Sequence, residues 1–180
     1  MTALLTVGHS SHGLEAFAAL LRGAGVTQVA DVRRWPRSRR HPHFDDDALA
    51  VELAPSGIAY AHLAELGGHR DPLAGSVNDG WEQAAFNGYA DHLASEELAR
   101  GVARLDALAA ARVTAVMSAE GDWRRCHRRL LADLLALRGD DVRHITPGGA
   151  LERHVVTEFA VAEDGGAVPR YPAPQLGLGF

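Results

Sequence analysis

Residues 3–32 read Ala-Leu-Leu-Thr-Val-Gly-His-Ser-Ser-His-Gly-Leu-Glu-Ala-Phe-Ala-Ala-Leu-Leu-Arg-Gly-Ala-Gly-Val-Thr-Gln-Val-Ala-Asp-Val, and this stretch decides the fold class. Its first residues, 3–7, form a compact apolar run that predicts a buried strand. Apolar side chains then recur at helical spacing between residues 14 and 21, and the glycines that follow predict the end of a helix. Residues 26–32 predict a second strand. A strand, a helix and a strand in this order indicate a parallel βαβ unit.

The same alternation continues along the chain. Further strands are predicted at residues 58–63, 113–117 and 142–145, and helices at 45–53, at 84–111 with a break near Ser95, and from Asp122 onward. Residues 67–81 are rich in Gly, Asp and Asn and predict a long loop. The pattern as a whole predicts an α/β fold with a mostly parallel sheet that is covered by helices on both faces.

We expect residues 1–180 to form a single domain, because the chain is long enough to bury one good core. The core is expected to cover about residues 1–146. Residues from about 147 to 180 are expected to add a C-terminal hairpin, with a strand near 155–161, and a Pro/Gly-rich tail.

Composition limits the class of protein. The chain carries a formal net charge of -5 at pH 7, and its one cysteine, Cys126, excludes an internal disulfide and a four-cysteine zinc site within one chain. Cysteine usage of this kind fits a reducing compartment. No apolar run is long enough to span a bilayer, and no signal-peptide pattern follows Met1. We therefore expect a cytoplasmic protein with no membrane partner, either a monomer or a homodimer.

Residues 31–44 read Asp-Val-Arg-Arg-Trp-Pro-Arg-Ser-Arg-Arg-His-Pro-His-Phe and concentrate positive charge in an acidic protein. The guanidinium group presents a planar fork of donors that suits phosphate or carboxylate. Pro36 and Pro42 stiffen the segment and disfavour helix there. Because lysine is absent from the whole chain, arginine usage is partly a matter of composition, but the clustering is not. The segment, which we call the arginine loop, predicts an anion-binding element.

Polar clusters follow three of the predicted strands. His9 and Ser10 follow the first strand and the arginine loop follows the second. Ser118 and Glu120 follow the strand at 113–117, just before residues 126–128, which read Cys-His-Arg. In parallel α/β sheets ligands bind beyond the carboxyl ends of the strands. Residues far apart in sequence are therefore predicted to form one site at this edge.

Several short motifs carry a family resemblance. They are Thr6-Val-Gly-His-Ser10, Asp31-Val-Arg33 with Pro36 and Ser38-Arg39, Gly57-Ile-Ala-Tyr60, Leu66-Gly-Gly68, and Ala119-Glu120 with Cys126-His-Arg128. Together, between residue 6 and about residue 145, they resemble a bacterial and archaeal family known as domain of unknown function 488. The resemblance implies a single-domain, Rossmann-like three-layer fold and implies little about a reaction. Ser118 stands where the family commonly has cysteine, and Trp123 stands where it commonly has proline.

The leading hypothesis is an enzyme that binds a phosphate-bearing ligand, either a nucleotide or a nucleic acid. Its candidate catalytic residues are Glu120, as the strongest acid/base candidate, with His9 and His127. Its candidate ligand-binding residues are Ser10, Asp31, Arg33, Ser38, Arg39, Tyr60, Ser118, Cys126 and Arg128. Tyr60 and Trp35 would either stack on a base or simply pack. Hydrolysis and base removal would both suit these residues, and no particular cofactor is indicated.

Two other classes remain open. The first is a metal- or haem-binding protein, for which His41, His43, His69 and His127 are candidate ligands, although no recognisable zinc spacing joins them. The second is a non-catalytic anion-binding or regulatory module, in which the arginine loop recognises an acidic surface. Purely structural roles also remain open. Glu120 would pair with Arg128 in an ion pair, and Cys126 would be a small buried apolar residue.

Overall fold

The fold begins with the βαβ unit that the opening sequence predicts. The computed structural model describes residues 2–162 and 168–174. Its first three elements are strand β1 (Ala3–Gly8), helix α1 (Leu14–Gly23) and strand β2 (Gln28–Asp31). β2 is buried along its whole length, as expected for a central strand of a parallel sheet with both faces covered.

The remaining elements follow the predicted alternation. They are α2 (Asp46–Leu53), β3 (Ala59–His62), α3 (Ala84–His92), α4 (Glu96–Ala111), β4 (Thr114–Ser118), α5 (Arg128–Leu137), β5 (Asp141–Ile145) and β6 (Leu151–Arg153). The break predicted near Ser95 separates α3 from α4, because the Ser95 side chain caps α4 by accepting a hydrogen bond from the Leu98 N–H.

The six strands form one sheet in the order β3-β2-β4-β1-β5-β6. All neighbouring pairs are parallel except β5 with β6, which is antiparallel. Alternate strand residues pack on opposite faces: Val29 and Met117 join the core with α1 and α2, whereas Ala30 and Val116 join the core with α3, α4 and α5. The predicted α/β fold with a mostly parallel sheet in three layers is confirmed.

The C-terminal part differs from the prediction. The antiparallel strand β6 lies at Leu151–Arg153, and the predicted strand at 155–161 is wrong, since only Val161 makes an isolated bridge there, to Arg170. The turn at residues 146–150 is tight because Gly149 has a positive φ and its N–H donates to the Thr146 carbonyl. The chain therefore pairs with β5 from Leu151 onward, before the predicted strand begins. Of the predicted Pro/Gly-rich tail, residues 163–167 and 175–180 lie outside the described residues.

No helix within the described ranges has both the length and the apolar character needed to cross a membrane.

Candidate functional site

Polar residues gather where β1 and β4 end side by side. The helix that follows β1 packs on one face of the sheet and the helix that follows β4 packs on the other. Such a point, at which the connections leave in opposite directions, opens a crevice at the carboxyl ends of the strands. The His9 N–H donates to the Ser118 carbonyl and the Ser10 N–H to the Ala119 carbonyl, so the two loops are joined. The fold therefore brings together the clusters predicted from the sequence.

Three adjoining cavities form a cleft at this edge. The central cavity, of about 140 Å³, lies between Arg33 and Cys126. The loop cavity, of about 460 Å³, lies along the arginine loop and His9, and the rear cavity, of about 180 Å³, lies beside His127. Glu120 lines all three cavities. Its side chain therefore stands at the junction of the cleft.

A buried ion pair anchors the arginine loop to β2. The Arg33 guanidinium donates to both carboxylate oxygens of Asp31, with Nη2 2.6 Å from Oδ2, and Nη2 also donates to the Phe44 carbonyl. The Tyr60 hydroxyl donates to Asp31 Oδ2 at 2.6 Å. Burial, followed by the Asp31 charge, raises the pKa of Tyr60, so the phenol stays protonated. The geometry thus gives Tyr60 a role in holding Asp31. Because its hydroxyl proton is already donated to Asp31, it is not free to bind a ligand.

His9 completes this network from the end of β1. Its Nδ1–H donates to the Ser10 carbonyl at 3.0 Å, so Nε2 carries the lone pair that accepts from Arg33 Nη1 at 3.4 Å. Burial and then the Arg33 charge lower the pKa of His9 to about 4. A neutral His9, stacked on Phe44, therefore orients Arg33 at neutral pH. This environment does not favour the proton-transfer role predicted for it.

Arg33 keeps one donor for a ligand. Four of its five N–H groups are directed at Asp31, the Phe44 carbonyl and His9. The remaining N–H on Nη1 has no partner among residues 2–162 and 168–174, and Arg33 lines both the central and the loop cavities. A buried guanidinium with a single free N–H and a fixed orientation is preorganised to hold one anionic oxygen.

The loop that carries Glu120 is held from below by Arg128. Arg128 is 1% exposed, donates from Nη1 to Thr6 Oγ1 at 3.2 Å and donates from Nη2 to the Glu120 backbone carbonyl. It lines none of the three cavities of the cleft. The sequence predicted Arg128 as a ligand-binding residue. The structure does not bring it to the cleft, because its long side chain runs beneath the loop. The Glu120 carboxylate is exposed and, within the described chain, makes no hydrogen bond or ion pair.

Gly8 sets the position of the same loop, and we predict that Gly8→Ala lowers the free energy of unfolding by about 1–3 kcal/mol. A Cβ atom at Gly8 would overlap the backbone carbonyl of Glu120, which cannot move without breaking its bond to Arg128. Thermal or urea unfolding measures the loss. Gly13→Ala is the control, because a Cβ atom there meets nothing within 4 Å. Equal stability of the two variants would contradict the proposed packing.

A thiol, an imidazole and a hydroxyl meet on the far wall of the central cavity. Cys126 Sγ lies 3.1 Å from Ser118 Oγ and 3.5 Å from His127 Nδ1, and it accepts the Arg128 N–H at 3.5 Å. Burial would raise the pKa of this thiol, but the charge and hydrogen bond of His127, with help from Arg128, outweigh burial and lower the pKa to about 6. The thiolate is therefore the dominant form at neutral pH.

Cys126 and His127 can meet because they do not share a helix. Adjacent residues on a helix would point about 100° apart, and the sequence places both at a helix start. In the structure Asp122 caps only a short 3₁₀ turn, and Cys126 is extended before α5 begins. The extended backbone turns the thiol back toward the imidazole. Gly68 makes room for the ring, since a Cβ atom there would lie 2.8 Å from His127 Nδ1.

The remaining predicted residues lie at the rim. Ser10 and Ser38 line the loop cavity, where the Ser38 hydroxyl accepts the His41 N–H. Arg39 is exposed and lines none of the three cavities. The sequence did not single out Arg34, which lines the central cavity, or Arg37 and Arg40, which line the loop cavity. His69, predicted only as a metal ligand, also lines the central cavity. Charge clustering signals all of these arginines equally, so only the fold can tell them apart.

The histidines predicted as metal ligands are His41, His43, His69 and His127. Among residues 2–162 and 168–174, no three His, Cys, Asp or Glu side chains are arranged as a metal-binding group. His41 and His43 pack edge to face with ring centroids 5.9 Å apart, while the His69 ring contacts Trp35. The described residues therefore offer no three-ligand set for a metal ion.

Fold and site together define a Rossmann-like α/β protein with a polar cleft at a topological switch point. The chain belongs to the family described as Domain of unknown function DUF488, whose model matches residues 13–135. This match confirms the family that the motifs indicated. Comparison with curated proteins and with solved structures gives no significant match. The family description names no activity, so function has to be argued from the site.

Proposed function

We propose that this protein is an enzyme that binds a phosphate-bearing nucleotide in the cleft and uses Glu120 for acid/base chemistry. The observation that carries the proposal is the Glu120 carboxylate itself. Within the described chain it has no partner, and Glu120 lines three cavities, two of which buried Arg33 also lines. An exposed carboxylate that has no protein partner and lines a cleft is available to a substrate.

The cations of the cleft support an anionic ligand. Arg33 supplies the preorganised N–H, and Arg34, Arg37 and Arg40 line the surrounding cavities with exposed side chains. Because the protein as a whole carries a charge of -5, this local excess of cations would also steer an anion toward the cleft. Cavities of about 140 and 460 Å³ suit a small nucleotide better than a long nucleic acid strand.

Trp35 supports a ligand that carries a base. Its side chain is 64% exposed, although an indole of this size is usually more buried. It lines both the central and the loop cavities, and the Arg34 guanidinium lies over the ring at 5.1 Å from the centroid. An exposed aromatic face beside a cationic phosphate site is the arrangement used to stack a nucleobase.

AMP binding tests the ligand class, and calorimetry is the measurement. We expect AMP to bind more tightly than adenosine, because adenosine leaves Arg33 without its anion. Trp35→Ala should weaken AMP binding by about 5- to 150-fold, since base–aromatic stacking is worth about 1–3 kcal/mol. Arg39→Ala is the matched control and should bind AMP as the wild type does, because Arg39 lies outside the three cavities. Equal affinity for AMP and adenosine would contradict a phosphate site.

Glu120→Gln separates catalysis from simple binding. The amide keeps the size of the side chain but cannot act as a base, so turnover of AMP should fall by about 10²- to 10⁴-fold while AMP affinity holds. Product analysis tells hydrolysis, which yields adenosine and phosphate, from base removal, which yields adenine and ribose phosphate. If AMP binds and neither the wild type nor the variant turns it over, the protein is a non-catalytic nucleotide-binding module.

A further inference from the structure

The Cys126 cluster occupies the wall of the central cavity opposite Arg33, and acid/base chemistry at Glu120 leaves it unused. Cys126 and His127 line both the central and the rear cavities, and Cys126 is 4% exposed. A ligand in these cavities would therefore meet Cys126 at the cavity wall, although the residue is largely buried. A cysteine that served only as a small apolar residue would not need three polar partners at its sulfur.

The hydrogen bonds of His127 fix its proton positions. The Val32 carbonyl can only accept, so His127 Nε2 donates to it at 3.3 Å and carries a proton. The other nitrogen, Nδ1, then faces Cys126 Sγ as the atom that takes the thiol proton. The Ser118 hydroxyl, 3.1 Å from the sulfur, can donate to the resulting thiolate. A base that is itself oriented by a third group is the arrangement of an activated nucleophile.

Arg128 is a second, independent sign of negative charge at this sulfur. Its guanidinium is 1% exposed, its Nε has no hydrogen-bond partner in the described ranges, and no carboxylate there lies within ion-pair distance of it. A buried cation without a counter-charge is costly. Its own backbone N–H points at Cys126 Sγ, and the Cys126 thiolate is the neighbouring anion that can balance it.

We propose that Cys126 is the catalytic nucleophile of the cleft and attacks the phosphorus atom of the bound phosphate ester. This inference rests on the proposed function. The central cavity has a volume of about 140 Å³, and Arg33 and Cys126 both line it. In a cavity of this size a phosphate held by the free Arg33 N–H would lie close to the sulfur, so phosphorus is the electrophile that we assign to it.

The proton and bond changes balance with the residues present. The Cys126 thiolate forms an S–P bond as the P–O bond to the ester oxygen breaks, and the imidazolium of His127 gives its Nδ1 proton to that oxygen. Water then attacks the phosphorus of the phosphocysteine, losing a proton to the Glu120 carboxylate while the S–P bond breaks. The thiolate returns and phosphate leaves. Glu120 releases its proton to solvent and His127 takes one up from solvent, so the thiolate–imidazolium pair is restored. Glu120 is thus the base of the second step.

The thiol itself is tested by its rate of alkylation with iodoacetamide as a function of pH, and the single cysteine of the chain makes the signal unambiguous. We expect a midpoint near pH 6 in the wild type, and in His127→Ala a shift upward toward the ordinary thiol value of 9.0. His69→Ala, which removes a cavity histidine not bonded to the sulfur, should keep the low midpoint. An alkylation midpoint near pH 9 in the wild type would by itself overturn the proposal that Cys126 is an activated nucleophile.

The covalent step is tested with p-nitrophenyl phosphate. We expect acid-quenched wild-type protein to carry one phosphoryl group on Cys126 by mass spectrometry, and folded Cys126→Ala to lose both the adduct and turnover. Glu120→Gln should accumulate the adduct, because its second step is slow. A wild type without adduct, or turnover that survives Cys126→Ala, would overturn the nucleophile. Neither result depends on AMP affinity, so the ligand class and the nucleophile fail separately.

Discussion

Asp31→Asn is expected to lower the free energy of unfolding by about 3–5 kcal/mol. Asp31 is fully buried and accepts hydrogen bonds from the Arg33 guanidinium, the Arg33 backbone N–H and the Tyr60 hydroxyl. The asparagine would leave a buried guanidinium without its counter-charge, and its amide group would oppose one of these donors. Urea unfolding of the purified variant measures the loss.

The chain contains a matched control for this variant. Asp141 and Arg143 repeat the sequence Asp-Val-Arg, and their ion pair is 2.9 Å long, but 49% of the Arg143 side chain is exposed. Exposed ion pairs of this kind contribute about 0–1 kcal/mol. Asp141→Asn should therefore cost less than about 1 kcal/mol. An equal loss of unfolding free energy in the two variants would contradict the claim that burial makes the Asp31–Arg33 pair stabilise the fold more than an exposed pair does.

Acid should destabilise the protein through His144. Its Nδ1 lies 2.7 Å from Thr6 Oγ1 and its Nε2 2.9 Å from His154 Nδ1, in a chain that ends on Asp133. Burial, then the charges of His154 and Arg128, lower the pKa of His144 from 6.5 to about 3. The unfolded state therefore binds a proton below pH 6.5 that the folded state does not bind until about pH 3. Stability is full above pH 6.5 and falls as the pH drops toward 3.

The expected loss of unfolding free energy follows from the pKa shift of His144, at 1.36 kcal/mol per pKa unit. Between pH 6.5 and pH 4, His144 alone should remove about 3 kcal/mol of the free energy of unfolding. His144→Gln cannot take up this proton, so its unfolding free energy should depend less steeply on pH by about that amount, whatever its stability at pH 7. His69→Gln, at an exposed position, controls for the loss of a histidine. Parallel pH profiles of wild type and His144→Gln would contradict the buried, neutral state of His144.

The fold was largely predictable because the signals that decide it are local. The apolar run before Gly8, the helical spacing after it and the alternation of strands and helices fix a parallel sheet with both faces covered. Ser95 was recognisable as a helix boundary for the same reason. The C-terminal hairpin was misplaced because its register depends on the turn that begins at Thr146, which sequence composition does not determine.

The site was only partly predictable because its roles depend on contacts between distant residues. Sequence located His9, Arg33, Glu120 and the segment Cys126-His127 at one edge, and the structure brings them there. The sequence did not show that the His9 lone pair accepts a hydrogen bond from Arg33, or that Arg128 lies beneath the Glu120 loop. The chain from Thr6 through His144 and His154 to Asp133 has no local signal at all, since its members come from different elements.

The position of AMP bound to the folded Cys126→Ala protein, which should hold AMP without turning it over, tests the central claim most directly by crystallography. We predict that the phosphate lies in the central cavity, with one oxygen within hydrogen-bond distance of Arg33 Nη1, the phosphorus facing residue 126 and the adenine stacked on Trp35. AMP seated outside the cleft, or bound in it with its phosphate turned away from Arg33, would contradict the claim that this edge of the sheet is a phosphate-binding site.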